Sequence, residues 1–257
     1  YQWGEEVLNF EKRSVKIKVK DDEDNIHSKE FVIRESVHGP VVSEKDGKAY
    51  ALRVVGLNQP HIFRQYFDMS RAQNLEAFQD AVRQLQNPYF TIMYADKDGH
   101  IMHVFGGRTP IRPKGDWNWL DVVPGDSPDT QWDKTHPYDE LPKSIDPESG
   151  WLQNANDPPW TTTFPNAISR HDYPGYMSQN FMHFRAQRSA RMAFEDESIT
   201  FQEILDYKMD TRMELADRII NDLLKLTANA NDEIIIEARR VLSNWDRQTN
   251  SDSKGAV

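Results

Sequence analysis

Cysteine is absent from the 257 residues, which excludes disulfide staples and thiolate nucleophiles and leaves the redox compartment open. No apolar run approaches the ~20 residues that a membrane-spanning helix needs. The opening Tyr1-Gln2-Trp3-Gly4-Glu5-Glu6 lacks the basic and apolar regions of a signal peptide, so Tyr1 is not read as a translation start. A basic face is missing too. With 41 acidic against 31 basic residues the net charge is −10, which speaks against nucleic acid or an anionic membrane surface as a partner. Hydrophobic residues make up only 38% and mean hydropathy is −0.77, low for a self-sufficient enzyme domain. Aromatic content runs the other way: 7 Trp, 9 Tyr and 12 Phe supply too much apolar surface for a disordered chain. The chain is expected to fold and to lean on further segments of its own protein.

Alternating apolar positions, Val15, Ile17 and Val19, and a second run at 28–33 flank the turn-like Asp21-Asp22-Glu23-Asp24-Asn25, predicting a half-buried β-hairpin. A strand pair follows around Asp46-Gly47. Asn74 reads as the cap of a helix reaching about Gln86, with Leu75, Phe78, Val82 and Leu85 at helical spacing. The strongest hairpin signal covers 89–106, turning at Asp96-Lys97-Asp98-Gly99. From 180 onward the pattern turns helical, over 180–194 and 232–245, with Thr200-Phe201-Gln202-Glu203 and Thr211-Arg212-Met213-Glu214 read as two capping boxes. Residues 246–257 are polar and carry no fold signal. The expected fold class is α+β: a mixed strand and helix core over 1–179 with a long irregular segment, then a helical segment over 180–257 of the same domain.

That irregular segment, 108–174, is too long for an ordinary connection. Within it, Gly150-Trp151-Leu152-Gln153-Asn154-Ala155-Asn156-Asp157-Pro158-Pro159-Trp160 concentrates amides, prolines and indoles. Asparagines beside prolines ordinarily serve turns. The alternative is chemical: a carboxamide held by its own hydrogen bonds presents a neutral, non-titrating donor to an oxygen that gains negative charge during acyl transfer. Other candidates read as structure. His38, in His38-Gly39-Pro40, sits at a turn entering a strand. His100 and His103 are three apart on one predicted strand and would face opposite ways, so they form no metal pair. Asp96, Asp98 and Gly99 lack the later ligands of a calcium loop. Trp117, Trp119, Trp132, Trp151 and Trp160 either line a pocket or pin the segment to the core.

Four stretches in register carry a resemblance. Glu35-Ser36-Val37-His38-Gly39-Pro40-Val41-Val42, then 94–101 with Gly107-Arg108-Thr109-Pro110-Ile111-Arg112, then 150–160, and the helix Phe184-Arg185-Ala186-Gln187-Arg188-Ser189-Ala190-Arg191-Met192 together resemble the penicillin acylase family of N-terminal-nucleophile hydrolases over most of the chain. The resemblance implies an αββα architecture and an internal stretch of the large subunit. It also implies amide hydrolysis of N-acylated small molecules such as β-lactam antibiotics or acyl homoserine lactones. The nucleophile, a serine whose own α-amino group is the base, would lie upstream of Tyr1. An α-amino group titrating near ~8 suits that task. The family's Asn-x-Asn pattern assigns the oxyanion donor to Asn156, with Asn154 the alternative, and Arg185, six residues before Arg191, orients it.

No cofactor is implied, although the family leaves room for a structural calcium in the complete enzyme, held largely by carboxylates outside this chain. The implied partners are the remaining segments of the same acylase and the N-acyl substrate, with no nucleic acid and no membrane. The implied location is the periplasm or the exterior. Both ends are expected to fall mid-subunit and the isolated stretch to be inactive. A silent scaffold or ligand-binding domain is the rival reading, and a glycan-binding module built on the tryptophans is a third.

Overall fold

The structure, a computed structural model, describes residues 1–57, 59 and 61–256. It divides into two compact units, 1–91 with 106–141 and 92–105 with 142–257.

In the first unit a short ribbon of β1 (Gln2–Trp3) and β2 (Glu6–Val7) precedes a four-stranded antiparallel sheet. Its strands β3 (Glu11–Lys20), β4 (Ile26–Ser36), β5 (Gly39–Lys45) and β6 (Lys48–Ala51) lie in sequential order. The β3–β4 hairpin pairs from Glu11 with Glu35 to Lys20 with Ile26. Its turn is fixed by Asp21, whose Oδ1 accepts from the backbone N–H of Glu23 and Asn25. The half-buried character expected of this hairpin is not found: nearly all of β3 and much of β4 are exposed. Alternation specifies which side chains share a face, not whether anything covers it. Gly39 adopts φ +116, and a Cβ there would lie 2.6 Å from the Leu52 carbonyl oxygen, so the turn into β5 requires glycine.

Among the described residues the unit also holds two α-helices, α1 (Ile62–Arg71) and α2 (Leu75–Val82). The first was not anticipated; its N-cap, His61, makes no side-chain cap bond, so no start signal marks it in sequence. The second is capped as expected, Asn74 accepting from the Ala77 N–H, but it ends at Val82 rather than near Gln86. Leu85 has turned to φ +46, and the buried Gln65 of α1 captures the next two amides, its Oε1 accepting from Gln86 and Asn87 N–H at 2.6 and 3.0 Å. A tertiary acceptor thus replaces the helical ladder.

In the second unit β7 (Ile92–Ala95), β8 (Ile101–Val104) and β9 (Lys143–Ile145) form an antiparallel sheet. The central β8 is buried apart from its first residue. The hairpin is shorter than expected, and His100 falls in its turn, outside the strand. Four helices follow: α3 (Phe184–Phe194), α4 (Phe201–Lys208), α5 (Glu214–Leu226) and α6 (Glu233–Ser243). The Thr200–Glu203 capping box forms. The second expected box does not. Met213 is the N-cap of α5 without a side-chain bond, because the Glu214 carboxylate is taken by Arg191 and Arg218 and the Thr211 hydroxyl by Gln248 and Asn250. Those bonds also tie residues 247–250 to the start of α5. Met213 and Thr249 N–H donate to the carbonyls of Arg247 and Thr211, and Arg247 joins Arg212 on Asp217. Among the described residues no helix is long and apolar enough to cross a membrane.

Candidate active site

Residues 150–163 of the second unit form a loop whose interior is a carboxylate. Asp157 is 1% exposed, and burial of an ionised group is tolerable only with donors around it. It has them: Ala155 N–H donates to Oδ1 at 2.8 Å, Gln153 Nε2 donates to Oδ2 at 2.8 Å, and the Thr161 hydroxyl donates to Oδ2. The two arms of the loop are also tied directly. Gln153 N–H donates to the Thr162 carbonyl, the Thr162 hydroxyl donates to the Gln153 carbonyl, and Gln153 Nε2 reaches the Thr161 carbonyl.

At the apex stands Asn156, exposed, with φ +66. Left-handed backbone costs an ordinary residue about 1–2 kcal/mol, and Asn bears it more easily than others. Its backbone N–H donates to Asn154 Oδ1 at 3.3 Å, which makes Asn154 a brace of the turn. Its carboxamide oxygen accepts from Arg185 Nη2 at 2.8 Å. Arginine carries no acceptor, so the contact fixes the amide's orientation: Oδ1 faces the guanidinium and the Nδ2 hydrogens are left to point outward. The cation also polarises the amide and strengthens its N–H groups as donors.

Arg185 occupies the first turn of α3, the positive end of the helix dipole and an unfavourable place for a cation; the Asn156 oxygen is its hydrogen-bond partner. Arg191, six residues on, faces elsewhere. It donates to Glu214 Oε1 at 3.0 Å, where Arg218 Nε also donates at 2.9 Å. Glu214 is 2% exposed and its Oε2 has no partner among the described residues; Arg191 thus clamps α3 to α5 through a buried carboxylate that Arg218, on α5 itself, also binds. The structure therefore joins Asn156 with Arg185 and gives Arg191 the separate task of holding the helix.

Three residues of this loop went unassigned in the sequence, Asp157, Gln153 and Thr161, and a fourth, His103 on β8, was read there only as no metal ligand. His103 is fully buried and neither ring nitrogen has a hydrogen-bond partner among the described residues. Burial pushes its imidazole down to about 4 against the opposing pull of the Asp157 carboxylate, so it is neutral at pH 7. His38 Nε2 meets the Gly125 carbonyl at 2.8 Å, and His100 Nδ1 meets Asp146 at 2.7 Å, a pairing that raises the His100 pKa. Asp96 Oδ1 closes the hairpin turn on Asp98 and His100 N–H. Four of the five tryptophans meet other side chains: Arg112 lies over the rings of Trp119 and Trp132 at 4.7 and 5.0 Å, Arg53 lies over Trp132, Arg170 lies over Trp160, and Trp151 is tilted against Phe164.

A carboxamide at a loop apex whose oxygen is held by an arginine can turn its N–H groups, as neutral donors, toward an oxygen that gains charge. The penicillin amidase family model matches residues 1–257, and the chain belongs to that family. It is 29% identical over 171 residues to the penicillin acylase 2 proenzyme of Pseudomonas sp. strain SE83, covering 65% of this chain and 22% of that protein. It is 24% identical over 280 aligned positions to the acyl-homoserine lactone acylase PvdQ of Pseudomonas putida, covering 96% and 35%. In three dimensions it is similar to the thermostable penicillin G acylase from Alcaligenes faecalis. That match has a TM-score of 0.70 at 22% identity and covers 97% of this chain and 44% of that one. The fold expected from the sequence is thus the observed one, and the chain spans less than half the length of each of these proteins.

Proposed function

We propose that this chain supplies the side-chain oxyanion donor of an acylase that cleaves the amide bond of an N-acylated small molecule. The observation that carries the reading is the 2.8 Å bond from Arg185 Nη2 to Asn156 Oδ1, which leaves the amide nitrogen as a polarised, non-titrating donor. The hydroxyl of an N-terminal serine elsewhere in the complete protein adds to the substrate carbonyl, its proton passing to that residue's α-amino group. Electrons move onto the carbonyl oxygen, and Asn156 Nδ2 donates to it as charge develops. Collapse of the adduct expels the amine, which takes up the proton, and water then releases the acid by the same sequence. Donation at that point is worth about 3–4 kcal/mol in well-studied hydrolases. Relatives named penicillin acylase and acyl-homoserine lactone acylase support N-acyl substrates of those two kinds. The partners in this reading are the other segments of the same acylase, and its family resemblance favours action in the periplasm or outside the cell.

The test is amide hydrolysis by the complete protein, wild type beside Asn156→Ala, with maturation followed by the appearance of two subunits. Normal maturation with kcat lowered about 100-fold or more supports the assignment. Full activity in the variant removes Asn156 from the site, and inactivity of both proteins favours a silent scaffold.

A further inference from the structure

We infer that Asp157 is the positioning residue for the oxyanion donor, a buried carboxylate that sets the backbone of Asn156 by gathering the loop on both sides of it. This deepens the function proposed above and rests on it. Arg185 governs only the outer end of the Asn156 side chain. Where that side chain starts from is decided by the backbone, and the backbone is left-handed at Asn156. The residue before it and the residue after it are bound to each other: Ala155 N–H donates to Asp157 Oδ1, closing a short ring of which the Asn156 backbone is the middle. The other oxygen, Oδ2, receives Gln153 Nε2 and the Thr161 hydroxyl, one from each arm of the loop.

All three donors converge on a single side chain that is 1% exposed, in a chain that otherwise keeps most of its carboxylates at the surface. A capping or turn-forming aspartate needs one bond and stands in solvent; this one satisfies both oxygens and is shielded from water. Directional bonds to both oxygens fix rotation as well as position. Loss of a contact made by the buried shell changes the angle at which the exposed amide leaves the loop, and misplacement of about 1 Å at a reacting group costs about 100-fold in rate. The asymmetry of the ring matters for the test. Asparagine at 157 is the same size, but it offers one acceptor and one donor, and all three neighbours are donors.

The experiment is a double-mutant cycle in the complete, maturing acylase, with kcat and KM measured per mature two-subunit molecule. Asp157→Asn is expected to lower kcat about 30-fold with KM within about threefold. The deciding measurement is the combination with Asn156→Ala. If Asp157 works by aiming Asn156, the double variant is no slower than Asn156→Ala alone, because the aim of an absent group has no effect. Losses that multiply mean that Asp157 supports the enzyme generally, and the inference is overturned; wild-type kcat in Asp157→Asn overturns it as well. Full activity in Asn156→Ala is a different failure, since it removes the oxyanion reading itself. Should Asp157→Asn not mature, Thr161→Val and Thr161→Ser carry the same cycle. Valine, which removes one donor and leaves the carboxylate, is expected to cost about tenfold in kcat, again without adding to Asn156→Ala, and serine to restore the rate. A valine variant that is as fast as wild type, or whose loss multiplies, overturns the inference.

Discussion

Two irregular segments, both rich in proline and tryptophan, are held in different ways. Residues 110–135 in the first unit are closed at the base by backbone pairs, Pro110 with Thr135 and Ile111 N–H on the Lys134 carbonyl. Above that base guanidinium and indole planes alternate, Trp119, Arg112, Trp132 and Arg53. Residues 150–163 in the second unit wrap a carboxylate with directional hydrogen bonds. Stacked planes slide at little cost, whereas a bidentate carboxylate fixes angles. The first construction suits a segment that must stay attached, the second one that must aim a side chain. The chemistry proposed for this chain falls on the second.

Variants of the two segments separate aim from attachment. The largest effect is expected at the apex, where Asn156→Ala lowers kcat about 100-fold or more in the complete enzyme, while Trp119→Ala in the stacked segment leaves kcat and KM unchanged. A comparable energy, read as stability, belongs to His103 beneath the aimed loop. Its folded pKa is depressed to about 4 from an ordinary 6.5, so the unfolded chain takes up the proton first. The stabilisation is complete above pH 6.5 and drains away as pH falls to 4, by about 3 kcal/mol. Denaturant titrations across that window test it, and His103→Gln should flatten the dependence. Next comes Arg185→Lys, which keeps the charge and loses the planar fork: about tenfold in kcat is expected with KM within threefold, and an unchanged kcat would show that charge alone suffices. The smallest is Arg112→Ala, expected to cost about 1 kcal/mol of stability and no catalytic rate; a kcat effect there would break the distinction between the segments.

The sequence already held the strand pairs, the Asn74 and Thr200 caps and the last helix, because the caps and the helix rest on neighbours within four residues and the strand pairs on a local turn. It also held the juxtaposition of Asn156 and Arg185, through resemblance and not through spacing, since 29 positions separate them. What it did not hold is whatever depends on a remote partner. The cap expected at Thr211 fails because Arg191 and Arg218 claim Glu214. The helix after Asn74 stops early because Gln65 captures the amides ahead of it. Asp157 was written beside Asn156 all along, but an Asp before two prolines reads as a turn residue, and only burial reveals it as the centre of the loop.

The left-handed backbone at Asn156 has an evolutionary side. Glycine, aspartate and asparagine are the residues that sit there comfortably, and of these, in the role proposed above, glycine has no amide to donate while aspartate would set a negative charge against a forming anion. Random change at this codon therefore meets two independent filters, one geometric and one chemical, that overlap on asparagine. A population drifting through sequence space has almost no neutral neighbour at this position, whereas the stacked tryptophans and arginines offer many.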